Sequence, residues 1–216
     1  MTTAGATGAF ISFEGIDGSG KSTQARALAE GLRAAGHRVT LTREPGGAPG
    51  AEEIRRLLVS GAAERWSPET EILLFNAARR DHLERTIRPA LGRGEIVITD
   101  RFVDSTRVYQ GAARADLRAL ADALHDLVIA VEPDLTFVID MDPGIALARG
   151  LARGTGEDRF EDLGLAFQTR LRAGFRDLAE ANPARLRLID GDRPAAEISA
   201  EIIAQTQDWL TRRPAP

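Results

Sequence analysis

The stretch Phe10–Thr23, FISFEGIDGSGKST, leaves a chain like this few ways to fold. A short apolar run, a glycine loop and then helical spacing read as a strand, a tight turn and a helix. Gly15, Gly20, Lys21 and Ser22 fit the pattern G-x-x-x-x-G-K-[ST], with Ile16, Asp17, Gly18 and Ser19 between the glycines and Thr23 following. Glycines at those positions let backbone N–H groups turn inward and surround the oxygens of a nucleoside triphosphate. Lys21 is then expected to reach the β and γ phosphates, and the Ser22 hydroxyl to sit on Mg²⁺. The helix opening near Gly20 presents the positive end of its dipole to the anion. A glycine-rich turn that binds nothing is the bland alternative, and the flanking strand and helix argue against it. The loop by itself predicts triphosphate binding and no particular reaction.

Composition narrows the rest. A chain of 216 residues, 43% of them hydrophobic, suffices for one compact domain with a sizeable core. The formal charge of -4 argues against general binding to nucleic acid or to a membrane surface, so any basic site has to be a local concentration of arginines. The lack of cysteine removes disulfides, thiol catalysis and thiolate metal sites, and fits a reducing compartment. No stretch approaches the roughly 18 uncharged apolar residues of a membrane span. The small, polar start MTTAGATGA has neither the basic opening nor the long apolar run of a signal peptide. These features predict a cytoplasmic protein whose residues 1–9 form a flexible tail.

Along the chain, Ala25, Leu28, Ala29 and Leu32 recur at helical spacing and Gly36 stands where a C-terminal cap is expected. Arg38–Thr42 alternates toward a second strand and runs into REPGGAPG, whose glycines and prolines predict a loop beside the cradle. A short helix over Ala51–Val59 follows. A longer one opens at Ser67-Pro68-Glu69, with serine as N-cap, proline at the first helical position and an acid in the first turn, and it carries Phe75 and Arg79. Apolar strands are expected just before Asp100-Arg101, over Asp134–Asp140 and over Leu186–Ile189, with further helices ending near Ala181 and near Trp209. Strands alternating with helices predict an α/β protein of the P-loop NTPase fold, a five-stranded parallel sheet with helices on both faces. Its ligands are expected beyond the carboxyl ends of the strands. The histidines, His37, His82 and His125, are too scattered for a metal site or a triad and read as structural or surface residues.

Set side by side, FEGIDGSGKST, TREPGG, Phe75-x-x-x-Arg79, DRFVDSTRVYQG and the late arginine segment ending DRFE resemble the thymidylate kinases, in order and spacing, from Phe10 to Trp209. The resemblance implies one P-loop kinase domain over residues 10–212, with a lid at about 149–160. The implied reaction is transfer of the γ-phosphoryl group of ATP to dTMP, giving dTDP and ADP for dTTP synthesis. Phe75 and Arg79 lie four apart, on one helical face; the resemblance implies that the ring stacks on thymine while the arginine donates to its O4. It further implies that Tyr109 packs where a ribose 2′-hydroxyl would project, with Gln110 beside it, and that Asp17 accepts from the 3′-hydroxyl. Ser105 and Thr106 are candidates for the thymine N3–H or O2, and serve equally well as helix caps. Arg101, helped by Arg43 and Arg55, is implied to hold the acceptor phosphate, with Glu44 and Pro45 shaping the same wall. Asp100 is implied to hold Mg²⁺ through water.

One branch of the family carries an arginine in the cradle where this chain has Gly18. The resemblance is therefore to the bacterial branch, in which lid arginines supply that charge. Arg149, Arg153 and Arg159 are the candidates, with Arg153 assigned to the transferred phosphoryl group and Arg149 to a place over adenine. Family habit adds a homodimer. An acceptor phosphate is already ionised at neutral pH, so the chemistry is positioning and charge neutralisation rather than base catalysis. Three other classes fit the residues less well. A GTPase needs N-K-x-D and D-x-x-G motifs that this sequence lacks. A deoxynucleoside kinase acts on a hydroxyl and would want a catalytic acid rather than a crowd of arginines. A non-catalytic nucleotide-binding P-loop protein would not need the arginines.

Overall fold

Strand β1 (Ala9–Glu14) is buried along its whole length, because successive side chains point to opposite faces and both faces are covered. The structure is a computed structural model and describes residues 8–62, 65–114, 116–153 and 164–213. From β1 the chain runs through α1 (Lys21–Ala34), β2 (Val39–Arg43), α2 (Pro49–Val59) and α3 (Pro68–His82). A π-helical turn (Leu83–Ile87) and the short α4 (Arg88–Gly92) lead to β3 (Ile96–Asp100). Next come α5 (Val103–Val108), a second π-helical turn (Tyr109–Arg114), α6 (Arg118–Val128) and β4 (Leu135–Asp140). The chain closes with α7 (Pro143–Arg153), α8 (Gly164–Ala181), β5 (Leu186–Asp190) and α9 (Ala195–Arg212).

Among the described residues the five strands form one sheet in the order β2-β3-β1-β4-β5, and every neighbouring pair is parallel. On one face Ile11 and Phe13 pack with Leu28 and Leu32 of α1 and with Ile198 and Ile202 of α9. On the other, Phe10 and Val97 meet Leu83, Ile87 and Phe102, and Phe10 and Phe102 stack edge to face. A third cluster joins Val138 and Leu186 of the sheet to Phe167, Leu171 and Phe175 of α8 and to Tyr109. The α/β architecture expected from the alternation of elements is the one found.

Several boundaries differ from the expectation. Strand β1 begins at Ala9, whose N–H donates to the Glu95 carbonyl, one residue before Phe10. Helix α2 takes in Pro49 and Gly50, which the sequence places in the loop: proline's fixed φ suits the first helical position, and Ala48 in extended conformation caps it. Ser67 caps α3 as expected, accepting from Thr70 N at 3.2 Å. Helix α9 continues past Trp209 to Arg212. Arg149 and Arg153 lie on α7. Among the described residues no helix is long and apolar enough to cross a membrane.

Candidate active site

The loop after β1 turns through Gly15, Gly18 and Gly20, with φ of 134°, 82° and 98°, a region that side chains rarely adopt. Two of these glycines are also required by contact. A Cβ on Gly15 would fall 2.6 Å from the Ile139 carbonyl oxygen, and one on Gly18 only 1.9 Å from that of Ala146. The loop is thus pressed against the end of β4 and the first turns of α7. Lys21, almost fully buried, donates from Nζ to the Ile16 carbonyl at 2.6 Å. Burial and the nearby Arg101 charge lower its ammonium to about 8, opposed by Asp17, Asp100 and Glu14. At the start of α1 the Ser22 hydroxyl donates to Asp100 Oδ2 at the end of β3. Asp100 Oδ1 is buried without a partner among the described residues. One hydroxyl and one carboxylate with a spare oxygen suit a hard cation such as Mg²⁺, which keeps water and phosphate oxygens as its other ligands. No cluster of three or more His, Cys, Asp or Glu that could hold a metal occurs among the described residues.

Facing the cradle, Arg101 has a left-handed backbone with φ of 72°, which costs about 1–3 kcal/mol and persists only where the surroundings enforce it. They do so here: Arg101 N donates to Phe13 O, its carbonyl accepts from Thr99 Oγ1, both at 2.9 Å, and the next N–H, of Phe102, donates to Glu14 Oε1 at 2.8 Å. The guanidinium donates to Ser105 Oγ at 2.8 Å, to Asp17 Oδ1 at 2.5 Å and to Tyr109 OH at 3.1 Å, and lies 4.9 Å from the Tyr109 ring centroid. Tyr109 in turn donates to Asp17 Oδ2 at 2.8 Å. Burial pushes the Asp17 carboxyl up, but Arg101 and Lys21 together hold it below the usual range. Burial raises the Tyr109 phenol well above its ordinary value. Ser105 Oγ donates to Glu14 Oε2 at 2.6 Å. Neither Ser105 nor Thr106 caps a helix; both lie within α5, whose N-cap position is Phe102.

Farther in, Arg79 of α3 is buried, which helical spacing alone does not dictate for an arginine. Its Nε donates to Glu44 Oε2 at 2.7 Å, and its Nη2 to Thr106 Oγ1 at 3.0 Å and to the Phe102 carbonyl at 3.1 Å. Its Nη1 is buried with no hydrogen-bond partner among the described residues. Arg55 donates to the carbonyl of Pro45 at 2.6 Å, after a cis Glu44–Pro45 peptide; Arg43 pairs with Glu52 at 3.2 Å; and Gln110 donates to Glu71 at 3.1 Å.

These groups enclose a cavity of about 250 Å³. Asp17, Gly18, Gly20, Lys21, Ser22 and Asp100 line it on the cradle side. Arg43, Glu44, Pro45, Arg55, Phe75, Arg101, Ser105, Thr106, Tyr109 and Gln110 line the remainder. Of the acceptor residues singled out in the sequence, Arg79 alone stands behind this wall. Gly15, Ile16, Ser19 and Thr23 belong to the cradle but not to the lining, and Arg149 is exposed on α7, its guanidinium 3.3 Å from Met141 Sδ. The Arg153 side chain, Arg159 and the segment 154–160 lie outside the described residues.

A family model of thymidylate kinases matches residues 13–202. The chain belongs to the thymidylate kinase family. It is 72% identical to a thymidylate kinase of Dinoroseobacter shibae over 91% of this chain and 95% of that one, and 64% identical to one of Ruegeria pomeroyi over 95% and 98%. The crystal structure of thymidylate kinase from Ehrlichia chaffeensis superposes with a TM-score of 0.75 at 40% identity, covering 93% of this chain and 98% of that chain. Within this thymidylate kinase fold the site holds three residues that had not been singled out for it. Glu14, the last residue of β1, accepts the Phe102 N–H and the Ser105 hydroxyl on its carboxylate. Burial, then the Asp104 charge, push it up to about 7 against those two donors and Arg101. His82, fully buried, sits directly behind Glu44. Val59, at the end of α2, lines the cavity, and no sequence signal marked it.

Proposed function

We propose that this chain transfers the γ-phosphoryl group of ATP to the phosphate of dTMP, giving dTDP and ADP. The observation that carries the reading is the single cavity in which a triphosphate cradle and a cluster of arginines face each other across Asp17 and Tyr109. Two anions can be brought together there because Lys21 and Arg101 stand between them. The backbone of Gly15–Thr23 holds the triphosphate of ATP. Ser22 directly, and Asp100 through water, would hold Mg²⁺, which when bound would offset the charge of the phosphates. Arg101, with Arg43 and Arg55, holds the acceptor phosphate in line with the γ-phosphoryl group, beside the wall that Glu44 and Pro45 form. Phe75 stacks on the base, the unpartnered Nη1 of Arg79 approaches its O4, and Thr106, Ser105 and Gln110 border the ring. Asp17 accepts from the 3′-hydroxyl, and Tyr109 fills the space a 2′-hydroxyl would need.

In this reading the chain is a single domain, residues 149–160 form its lid, Arg153 reaches the transferred group and Arg149 lies over adenine. Two copies pair in the cytoplasm. Leu57, Leu73 and Leu127 are exposed on α2, α3 and α6, helices of which α3 contacts the other two, and offer apolar side chains to such a pairing. The deciding experiment is an ADP-release assay with ATP and Mg²⁺ against dTMP, dUMP, UMP, dCMP, AMP and thymidine. The reading requires dTMP to be the preferred acceptor, and faster turnover of thymidine or AMP overturns it. Lys21→Ala, checked for folding by circular dichroism, is expected to abolish transfer.

A further inference from the structure

We infer that His82 is a positioning residue for base recognition: it fixes Glu44, and through Glu44 the guanidinium of Arg79, in the orientation from which Arg79 reads the edge of the base. The inference rests on the reading that Arg79 faces the base.

His82 follows Arg79 by three residues on α3, so the two side chains share one helical face. The ring is fully buried and both of its nitrogens are engaged. Nδ1 lies 3.1 Å from Glu44 Oε1, and Nε2 lies 2.7 Å from Thr42 Oγ1 on β2. With a proton on Nδ1 the ring donates to the carboxylate and leaves Nε2 to the hydroxyl. The other Glu44 oxygen, Oε2, takes the Arg79 Nε proton at 2.7 Å. Thr42, His82, Glu44 and Arg79 thus form one hydrogen-bonded series from the sheet to the layer directly behind the pocket wall, and its last member carries the unpartnered Nη1.

The series is closed off by backbone. Gly47 has φ of 81°, and a Cβ there would lie 2.5 Å from His82 Nε2 and 2.4 Å from Thr42 Oγ1. The Gly47 carbonyl in turn accepts from Thr86 Oγ1 at 2.7 Å. The second glycine of the TREPGG segment therefore lets the chain lie directly on the ring. In a buried series the consequence of removing one donor is passed on: Glu44 Oε1 loses its partner, the carboxylate is free to turn, and the Nε anchor of Arg79 loosens with it. Kept in place, the guanidinium meets the base already oriented.

His82→Leu keeps the volume and removes both ring contacts, whereas His82→Asn keeps a donor near the position of Nδ1. The measurements are kcat and KM for dTMP, KM for ATP, the inhibition constant of dCMP and stability in urea. For His82→Leu the ratio of the dCMP constant to the dTMP KM is expected to fall about tenfold, mainly through a raised dTMP KM, while the ATP KM stays as it was. His82→Asn is expected to regain most of the ratio. A His82→Leu protein that is less stable but keeps the ratio overturns the inference, because a purely structural ring would give that result. If His82→Leu does not fold, Thr42→Val, which cuts the series one step earlier, takes its place: a smaller shift in the same direction supports the inference and an unchanged ratio overturns it. Arg79→Ala separates the two levels. If it keeps the preference for dTMP, the base-reading role itself falls; if it loses the preference while His82→Leu does not, only the role of His82 falls.

Discussion

Asp17 and Arg101 meet at 2.5 Å where the phosphate cradle touches the end of β3, and the Tyr109 hydroxyl bonds to both. The two Asp17 oxygens thus serve different partners: one orients the arginine proposed to hold the acceptor phosphate, the other anchors the ring proposed to exclude a ribose. A sugar 3′-hydroxyl reaching Asp17 would join a carboxylate already held in its charged form, and a hydrogen bond to a charged group contributes about 1.5–3 kcal/mol. Asp17→Ala should lower kcat/KM for dTMP about 10- to 100-fold by that figure. Comparing dTMP with its 3′-deoxy analogue in both proteins is the check. The wild type should lose a similar factor with the analogue and the variant should barely distinguish the two; a variant that still prefers the hydroxyl would remove Asp17 from that role.

Gly18 answers a question of design. Its φ of 82° and a Cβ position 1.9 Å from the Ala146 carbonyl oxygen leave no room for any side chain while α7 is packed as it is. Gly18→Arg should therefore not move the missing charge into the cradle. It should push α7 off the loop, at a cost of about 2 kcal/mol or more from the backbone conformation and the collision. In a protein of this size that corresponds to a fall in Tm of about 4–8 °C, readable by calorimetry, together with reduced transfer. A Gly18→Arg protein with unchanged Tm and activity would show that α7 yields freely.

Much of this arrangement was legible because it rests on local pattern. The cradle is written in four residues, the shared face of Phe75 and Arg79 follows from their spacing, and Ser67-Pro68 marked the start of α3. What was not legible depends on which elements become neighbours. Nothing in Gly18 announces Ala146, which comes from another crossover. Glu14 gains its role only once β1 lies beside β3, so that its carboxylate meets Phe102 and Ser105. His82, which reads as structural or surface from its lack of partners in sequence, faces Thr42 and Glu44 because the last residue of α3 lies at the end of β2. The π-helical turn that begins at Tyr109 likewise has no local signature.

Glu14 gives a pH prediction with a definite sign. Burial and Asp104 raise its carboxyl from 4.5 to about 7, while Ser105, Arg101 and the Phe102 N–H pull the other way, and Lys21 also feels its charge. Because the folded form holds the proton more tightly than the unfolded chain, the contribution is full below about pH 4.5 and is lost as pH rises to about 7. The loss is about 3 kcal/mol by linkage. Urea unfolding of the wild type and of Glu14→Gln at pH 5 and pH 8 isolates it. The stability difference between the two proteins should move in favour of the glutamine variant at pH 8, and a difference that does not move would mean that Glu14 titrates normally.

The two lid candidates can be separated by kinetics. Arg149 and Arg153 are four apart on α7, with Arg149 nearer the end of β4 and lying against Met141. Arg153 ends the helix, one turn farther along, and is the arginine proposed to reach the transferred group. An arginine that touches the transferred group only in the transition state affects kcat, whereas one that packs on adenine contributes equally to ground and transition states and affects the ATP KM. Arg153→Ala should lower kcat on the order of 10³-fold with the dTMP KM little changed. Arg149→Ala should raise the ATP KM about two- to fivefold, the equivalent of one exposed cation–π contact, and leave kcat within a small factor. Steady-state kinetics at saturating dTMP reads both, and a reversal of the two patterns would assign the transferred phosphoryl group to Arg149 instead.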